Sequence, residues 1–156
     1  MAEARCLTLR SRNARAASGA PPNSNVRPTM MTDDLEPVAF VSVESGDDFI
    51  VSFFVVRADD FTDGRSVILM RDRKWEYLLD DTEKGVKVSD ENFPEDEEFD
   101  DNFLEWIRLG NSTVEIKSRR HHHKLDLRRV DPSDLRAARK VLKRMNYDKR
   151  FKLNVA

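Results

Sequence analysis

The chain has 156 residues, a formal net charge of −2 at pH 7 and a single cysteine, Cys6. One domain of that length buries a core without staples, an internal disulfide is excluded, and no apolar run approaches the ~20 residues that cross a bilayer as a helix. The near-zero charge averages three unequal segments: residues 1–31 carry five Arg against one Glu, residues 32–103 carry 22 acids and seven bases, and residues 104–156 carry 15 bases and six acids.

Residues 1–31 are rich in Arg, Ala, Ser, Asn and Pro and have almost no apolar periodicity. Such a segment cannot bury enough surface to offset its ordering entropy, which predicts a disordered basic extension ahead of one domain over 32–156. An Arg- and Ser-rich, acid-poor leader also has the composition of an organellar transit peptide. The tandem Met30-Met31 before an abrupt change of composition favours an upstream extension instead, and with it a cytoplasmic protein. No apolar core of a secretory signal is present.

From Pro37 the pattern is that of strands. Val38 to Glu44 and Asp48 to Arg57 are rich in Val, Phe and Ile, and Ser45-Gly46-Asp47 between them signals a hairpin. In the second strand Phe49, Val51, Phe53 and Val55 alternate on one face while Ile50, Phe54 and Val56 alternate on the other, so neither face is suited to water. Ala58 to Arg65, with four charged residues and Gly64, reads as a loop, and Val67 to Met70 as a third strand. Trp75 to Leu79 is compatible with a short strand or a helical turn. Val86 to Val88 is a brief strand. Ser89 to Asp101 is an acidic stretch with a central Pro94, which its own repulsion should keep solvated.

A meander is predicted next: Phe103 to Leu109, Thr113 to Arg119 and Lys124 to Val130, with Gly110-Asn111 turning the first hairpin. In the second hairpin, Lys117 opposite Asp126 and Glu115 opposite Arg128 also place Ile116 opposite Leu127. Favourable cross-strand pairs contribute ~0.2–1 kcal/mol each, so this register is expected, with Arg120 to His123 as the loop. Asp131 is a good N-cap and Pro132 suits the first helical position. Leu135, Ala138, Leu142 and Met145 then form one apolar stripe, and Asn146 can end the helix. Phe151 to Val155 has the composition of a final strand. The expected fold is therefore α+β: a mostly antiparallel sheet of about six or seven strands with one C-terminal amphipathic helix packed on it.

Chemistry-bearing motifs are sparse. Contiguous His121, His122 and His123 suggest metal, but structural zinc needs four ligands and alternate faces leave at most His121 and His123 to act together, with Asp126 as a remote third. A solvated hairpin tip accounts for them better. No nucleophile elbow, dinucleotide fingerprint or phosphate loop occurs, so no catalytic, cofactor or metal residue is expected and an enzyme is disfavoured.

Two surfaces are expected to matter. The acidic run Glu95, Asp96, Glu97, Glu98, Asp100 and Asp101 suits a basic protein partner, which points to a non-catalytic interaction or regulatory module, such as an inhibitor of a basic protein. The alternative is nucleic-acid binding, with Arg136, Lys140 and Arg144 at i, i+4 and i+8 holding phosphates. One helix also covers only one face of a sheet. The doubly apolar strands must therefore be covered by the sheet curling on itself, by the segment carrying Phe93, Phe99 and Phe103, or by self-association or a protein partner.

Overall fold

The computed structural model describes residues 35–57, 60–91 and 101–156, apart from the side chains of 60 and 61. Eight strands, one more than the upper expectation, run β1 (Glu36–Ser45), β2 (Asp48–Arg57), β3 (Asp60–Asp72), β4 (Lys87–Asp90), β5 (Leu104–Leu109), β6 (Thr113–Ser118), β7 (His122–Asp126) and β8 (Lys152–Val155). The helix α1 (Pro132–Met145) precedes β8, and two 3-10 turns, Glu76–Leu78 and Asp81–Glu83, lie between β3 and β4. The sheet order is β4-β3-β2-β1-β7-β6-β5-β8, antiparallel except for β1 with β7 and β5 with β8. The chain is thus α+β with a mostly antiparallel sheet and a C-terminal helix.

The two ends of this sheet meet. The Val88 amide donates to Asn102 O at 2.9 Å and the Leu104 amide to Val86 O at 2.8 Å, and Lys87 bridges Phe103. The buried Asn102 side chain reinforces the seam, donating to Val88 O at 2.9 Å and accepting from the Arg120 amide at 3.0 Å. Strands β1 to β7 therefore form a hydrogen-bonded ring, and β8 pairs with β5 beyond the seam. Among the three candidate covers for the doubly apolar strands, curling encloses one face. Val51, Phe53 and Val55 of β2, Val67 and Leu69 of β3, Ile107 and Leu109 of β5 and Ile116 of β6 share one buried interior cluster. On the other face Ile50, Phe54 and Ile68 are half-buried, while Phe40 and Met70 are exposed.

The helix begins as its residues dictate. Asp131 accepts from the Ser133 amide at 2.8 Å, Pro132 occupies the first turn, and Leu135, Ala138, Val141, Leu142 and Met145 join the interior cluster. α1 lies against β1 and β2 and reaches β8. No helix among the described residues is long and apolar enough to cross a membrane.

Two local expectations are corrected. The segment read as a loop before Val67 belongs to β3, which starts at Asp60 after an irregularity at Val56/Arg57 and pairs with β2 along its whole length. Its described charges are tolerated because Asp63 is exposed beside Arg57 and Arg65 is neutralised by Asp90 and Glu36. In the β6–β7 hairpin the pairs are Glu115 with Lys124, Ile116 with His123 and Lys117 with His122, four residues from the expected register. Turn chemistry outweighs the charge pairs. The Ser118 amide donates to His121 O at 2.9 Å, and the His121 amide donates to Ser118 Oγ at 3.1 Å. A short closed turn costs less ordering entropy than a four-residue loop, and both registers bury the same face of β7.

Gly64 has a specific role in β3. A Cβ there would sit 2.6 Å from the Phe54 ring and 2.9 Å from Val55 O, and Phe54 is stacked on Phe40 with ring centroids 4.9 Å apart. Gly64→Ala should destabilise the fold by about 1–3 kcal/mol, because backbone and a stacked pair must both shift. Gly46→Ala, with no atom within 4 Å of its Cβ, should be close to neutral. Urea midpoints of the two variants check this, and equal midpoints would contradict it.

Candidate functional site

β3 carries the inward row Arg65, Val67, Leu69 and Arg71. Arg71, at 1% exposure, brings a guanidinium into the interior at the end of that row. An isolated buried charge costs several kcal/mol, so its partners decide what the neighbouring chain must do. Arg71 Nε donates to Glu76 Oε2 at 2.8 Å. Nη1 donates to Asp148 Oδ1 at 2.8 Å and to Met145 O at 2.6 Å. Nη2 donates to Asp148 Oδ2 at 2.7 Å, to Tyr147 Oη at 3.0 Å and to Glu76 Oε1. Two carboxylates thus grip the fork bidentately, and a carbonyl from the last turn of α1 takes a further donor. The Tyr147 hydroxyl donates to Glu76 Oε1 at 2.8 Å, and its ring lies 4.2 Å from the guanidinium.

The charges are mutually reinforced. Burial by itself would lower the Arg71 pKa, but bonds to Asp148 and Glu76 raise it above its ordinary value. Burial pushes the Glu76 carboxyl up, and bonds from Arg71 and Tyr147 outweigh this to hold it below the usual range. Asp148, bonded chiefly by Arg71 and also by Arg150, is lowered to about 2. Burial raises the Tyr147 phenol, as does its bond to Glu76.

Pinning Glu76 has an outward consequence. Glu76 is buried within the 3-10 turn, so its neighbours are forced out: Trp75 is 51% exposed, Tyr77 71% and Leu78 67%, with Leu79 also exposed. Tyr147, 60% exposed, joins them across the Arg71 bonds. The turn is closed by the Leu78 amide on Trp75 O and the Leu79 amide on Glu76 O, both at 3.0 Å, and the Trp75 amide donates to Asp72 Oδ1 at 3.0 Å. The result is an apolar knuckle on a rigid base. Its margin carries both signs: Asp80 and Glu83 form a capping box in the next turn, are exposed and make no ion pair among the described residues, while Lys74 Nζ lies 5.2 Å over the Trp75 ring on the other side. The ambiguity at Trp75 to Leu79 is therefore resolved as a 3-10 turn. Sequence reasoning passed over Arg71, though a readable signal was present: it continues the i, i+2 parity of Val67 and Leu69 into the core.

The sequence-predicted residues fall as follows. Glu95, Asp96, Glu97, Glu98 and Asp100 lie outside the described residues, as do Phe93 and Phe99. Asp101 is exposed and paired with Arg120 at 2.9 Å. Arg136, Lys140 and Arg144 are exposed on one side of α1 and make no ion pair with a described carboxylate. Arg144 donates to Ser45 Oγ and lies 5.1 Å over the Phe49 ring. The histidines do not form a solvated tip. His123 is buried in β7, with Nδ1 3.8 Å from the buried Asp90, and His121 is half-buried with its ring 6.2 Å from that of His123. Burial pushes the His123 imidazole down despite the pull of Asp90. Only His122 is exposed, 2.7 Å from Glu115. Asp126 is engaged with Arg128. Among the described residues no three His, Cys, Asp or Glu side chains are grouped to hold a metal ion.

Comparison with family models, with curated proteins and with solved structures finds no significant match to this chain.

The Arg71 cluster makes an acid-sensitivity prediction. Glu76 and Asp148 have folded pKa values below their ordinary 4.5 and 3.8, so their stabilisation is complete above about pH 5 and is lost as pH falls through the lowered values, which for Asp148 is about 2. Arg71→Met leaves Glu76 without its cation and Asp148 with Arg150 alone, and should cost about 3–5 kcal/mol at pH 7. The deficit relative to wild type should shrink as pH falls towards 2, because protonated Glu76 and Asp148 no longer need the cation. Urea titrations of both proteins across this range check it; a deficit independent of pH would be the opposing result.

Proposed function

We propose that the chain is a non-catalytic, cytoplasmic protein-interaction module that docks through the knuckle Trp75–Leu79 and Tyr147. The observation that carries this reading is the exposure of large apolar side chains on a turn whose base is fixed by a buried arginine. A patch rich in Trp, Tyr and Leu at one spot on a folded surface is characteristic of interfaces rather than of solvated turns. Its rigidity lowers the ordering cost of association. Asp80 and Glu83 on one side of the knuckle favour a partner with a basic rim around an apolar pocket, and the acidic run from Glu95 to Asp100 would add to the attraction for a basic protein. This matches an inhibitor or neutraliser of a basic protein. The reading places the contact on the knuckle first and on the acidic run second.

A photocrosslinking residue placed at Tyr77 in the full-length chain should give one discrete protein adduct in cells. Leu78→Asp in the same chain should abolish the adduct without lowering the thermal midpoint appreciably, since Leu78 is exposed. A crosslinker at Lys140 should not give that adduct. Equal adducts at both positions, or an adduct indifferent to Leu78→Asp, would contradict the proposal.

A second reading, nucleic-acid binding, is favoured by Arg136, Lys140 and Arg144 lying exposed and un-neutralised on one side of α1. Phosphate contacts by three cations would give an RNA affinity falling with salt at a log–log slope of roughly −2 to −3. Arg136→Gln with Lys140→Gln should reduce that slope by about two. Absence of RNA or heparin retention at low salt would remove this reading.

A further inference from the structure

At the N-terminal end of α1 an open cleft of about 510 Å³ lies between the helix, the chain leading into it and the β5–β6 turn. Its floor is formed by the buried Leu127, Val130 and Leu135, its wall by the exposed Pro132, and Arg128, Arg136 and Arg139 line it. The three guanidiniums are not equivalent. Arg128 is taken by Asp126, with Nε 2.9 Å and Nη2 2.6 Å from Oδ2. Arg139 is held by neutral acceptors alone: Nη2 donates to Gly110 O at 3.2 Å and to Asn111 Oδ1 at 2.7 Å. Its orientation is fixed while its charge stays uncompensated. Its Nε is buried and bonded to no acceptor, an arrangement that costs free energy unless an acceptor reaches it. Arg136, one turn earlier on the same side of the helix, is exposed and makes no ion pair with a described carboxylate, although Asp131, held low chiefly by its bonds from Ser133, is also held low in part by the Arg136 charge.

One guanidinium held only by neutral acceptors, with a second exposed beside it and shared in part with Asp131, suits an anion, and a cleft of this size is in the range of small-ligand sites. We propose that this cleft binds a phosphate monoester, its oxygens held by Arg136 and Arg139 and its organic part resting on Pro132 and the outer edges of Val130 and Leu135. The site is separate from the knuckle and uses Arg139 rather than the outer stripe at Lys140 and Arg144. A free small ester and a phosphorylated tyrosine side chain share the required chemistry.

The test is amide NMR of the labelled full-length chain titrated with phenyl phosphate, inorganic phosphate and a short phosphotyrosine peptide. Phenyl phosphate should give saturable shifts at Ser112 and between Leu127 and Arg139, and should bind more tightly than inorganic phosphate. Arg136→Gln, which breaks no hydrogen bond among the described residues, should weaken it about tenfold, while Lys140→Gln and Arg144→Gln should leave it unchanged. Tighter binding of the peptide assigns the ligand to a modified protein; equal or weaker binding assigns it to a free ester. Shifts that do not saturate, shifts spread along α1 to Arg144, or unchanged affinity in Arg136→Gln would overturn the proposal.

Discussion

A guanidinium enclosed at the end of an apolar row is the constraint on which the rest of this structure turns. Arg71 has five N–H donors and almost no water, so every donor needs an acceptor from the protein. The acceptors come from far along the chain: Glu76 a few residues on, then Met145, Tyr147 and Asp148 after the helix. Satisfying one residue therefore fixes the turn after β3, the end of α1 and the link into β8 together. The network continues outward, because Arg150 bonds Asp148 at 2.6 Å and Asp81 O at 2.8 Å, which ties the second 3-10 turn to the same base. The other end of the row is similar in kind: Arg65 pairs with Asp90 at 3.0 Å and with Glu36.

This arrangement explains why Trp75, Tyr77 and Leu78 face water. A free turn would fold such side chains back onto the body, since burying each is worth ~1.5–3 kcal/mol. Here the inward position in the turn is occupied by Glu76, whose carboxylate cannot be released without stranding Arg71. Exposure of the flanking apolar groups follows from that choice. A surface of this kind, rigid and apolar with acids at its margin, has the properties that make an association favourable without a large ordering cost.

The sequence disclosed what is local. The Asp131-Pro132 start of α1, its apolar stripe and the alternation along β2 all depend on residues close in the chain, and each is present as expected. The strand character of Asp60 to Ser66 was masked by its charges, of which Arg65 is answered by Asp90 and Glu36, far off in the chain, and Asp63 by Arg57 on the paired strand. The β6–β7 register was misread because cross-strand charge pairs were weighed without the Ser118–His121 turn. Closure of the ring depends on Asn102, a residue with no periodic signature, meeting Val88. The knuckle was ambiguous for the same reason: its conformation is set by Glu76 answering Arg71. No short-range pattern expresses that, although the inward parity of Arg71 itself was legible.

The account stands most directly on whether Arg71 holds the knuckle in place. Native-state hydrogen exchange of the Leu78 and Leu79 amides, followed in wild type and in Arg71→Met beside the core amides of β2, measures that. The account predicts slow exchange at both amides in wild type, and in the variant a loss of protection at the knuckle greater than that at Val51 and Phe53. Amides at Leu78 and Leu79 that exchange at unprotected rates in wild type, while β2 stays protected, would mean the turn is not pinned and would contradict the central claim.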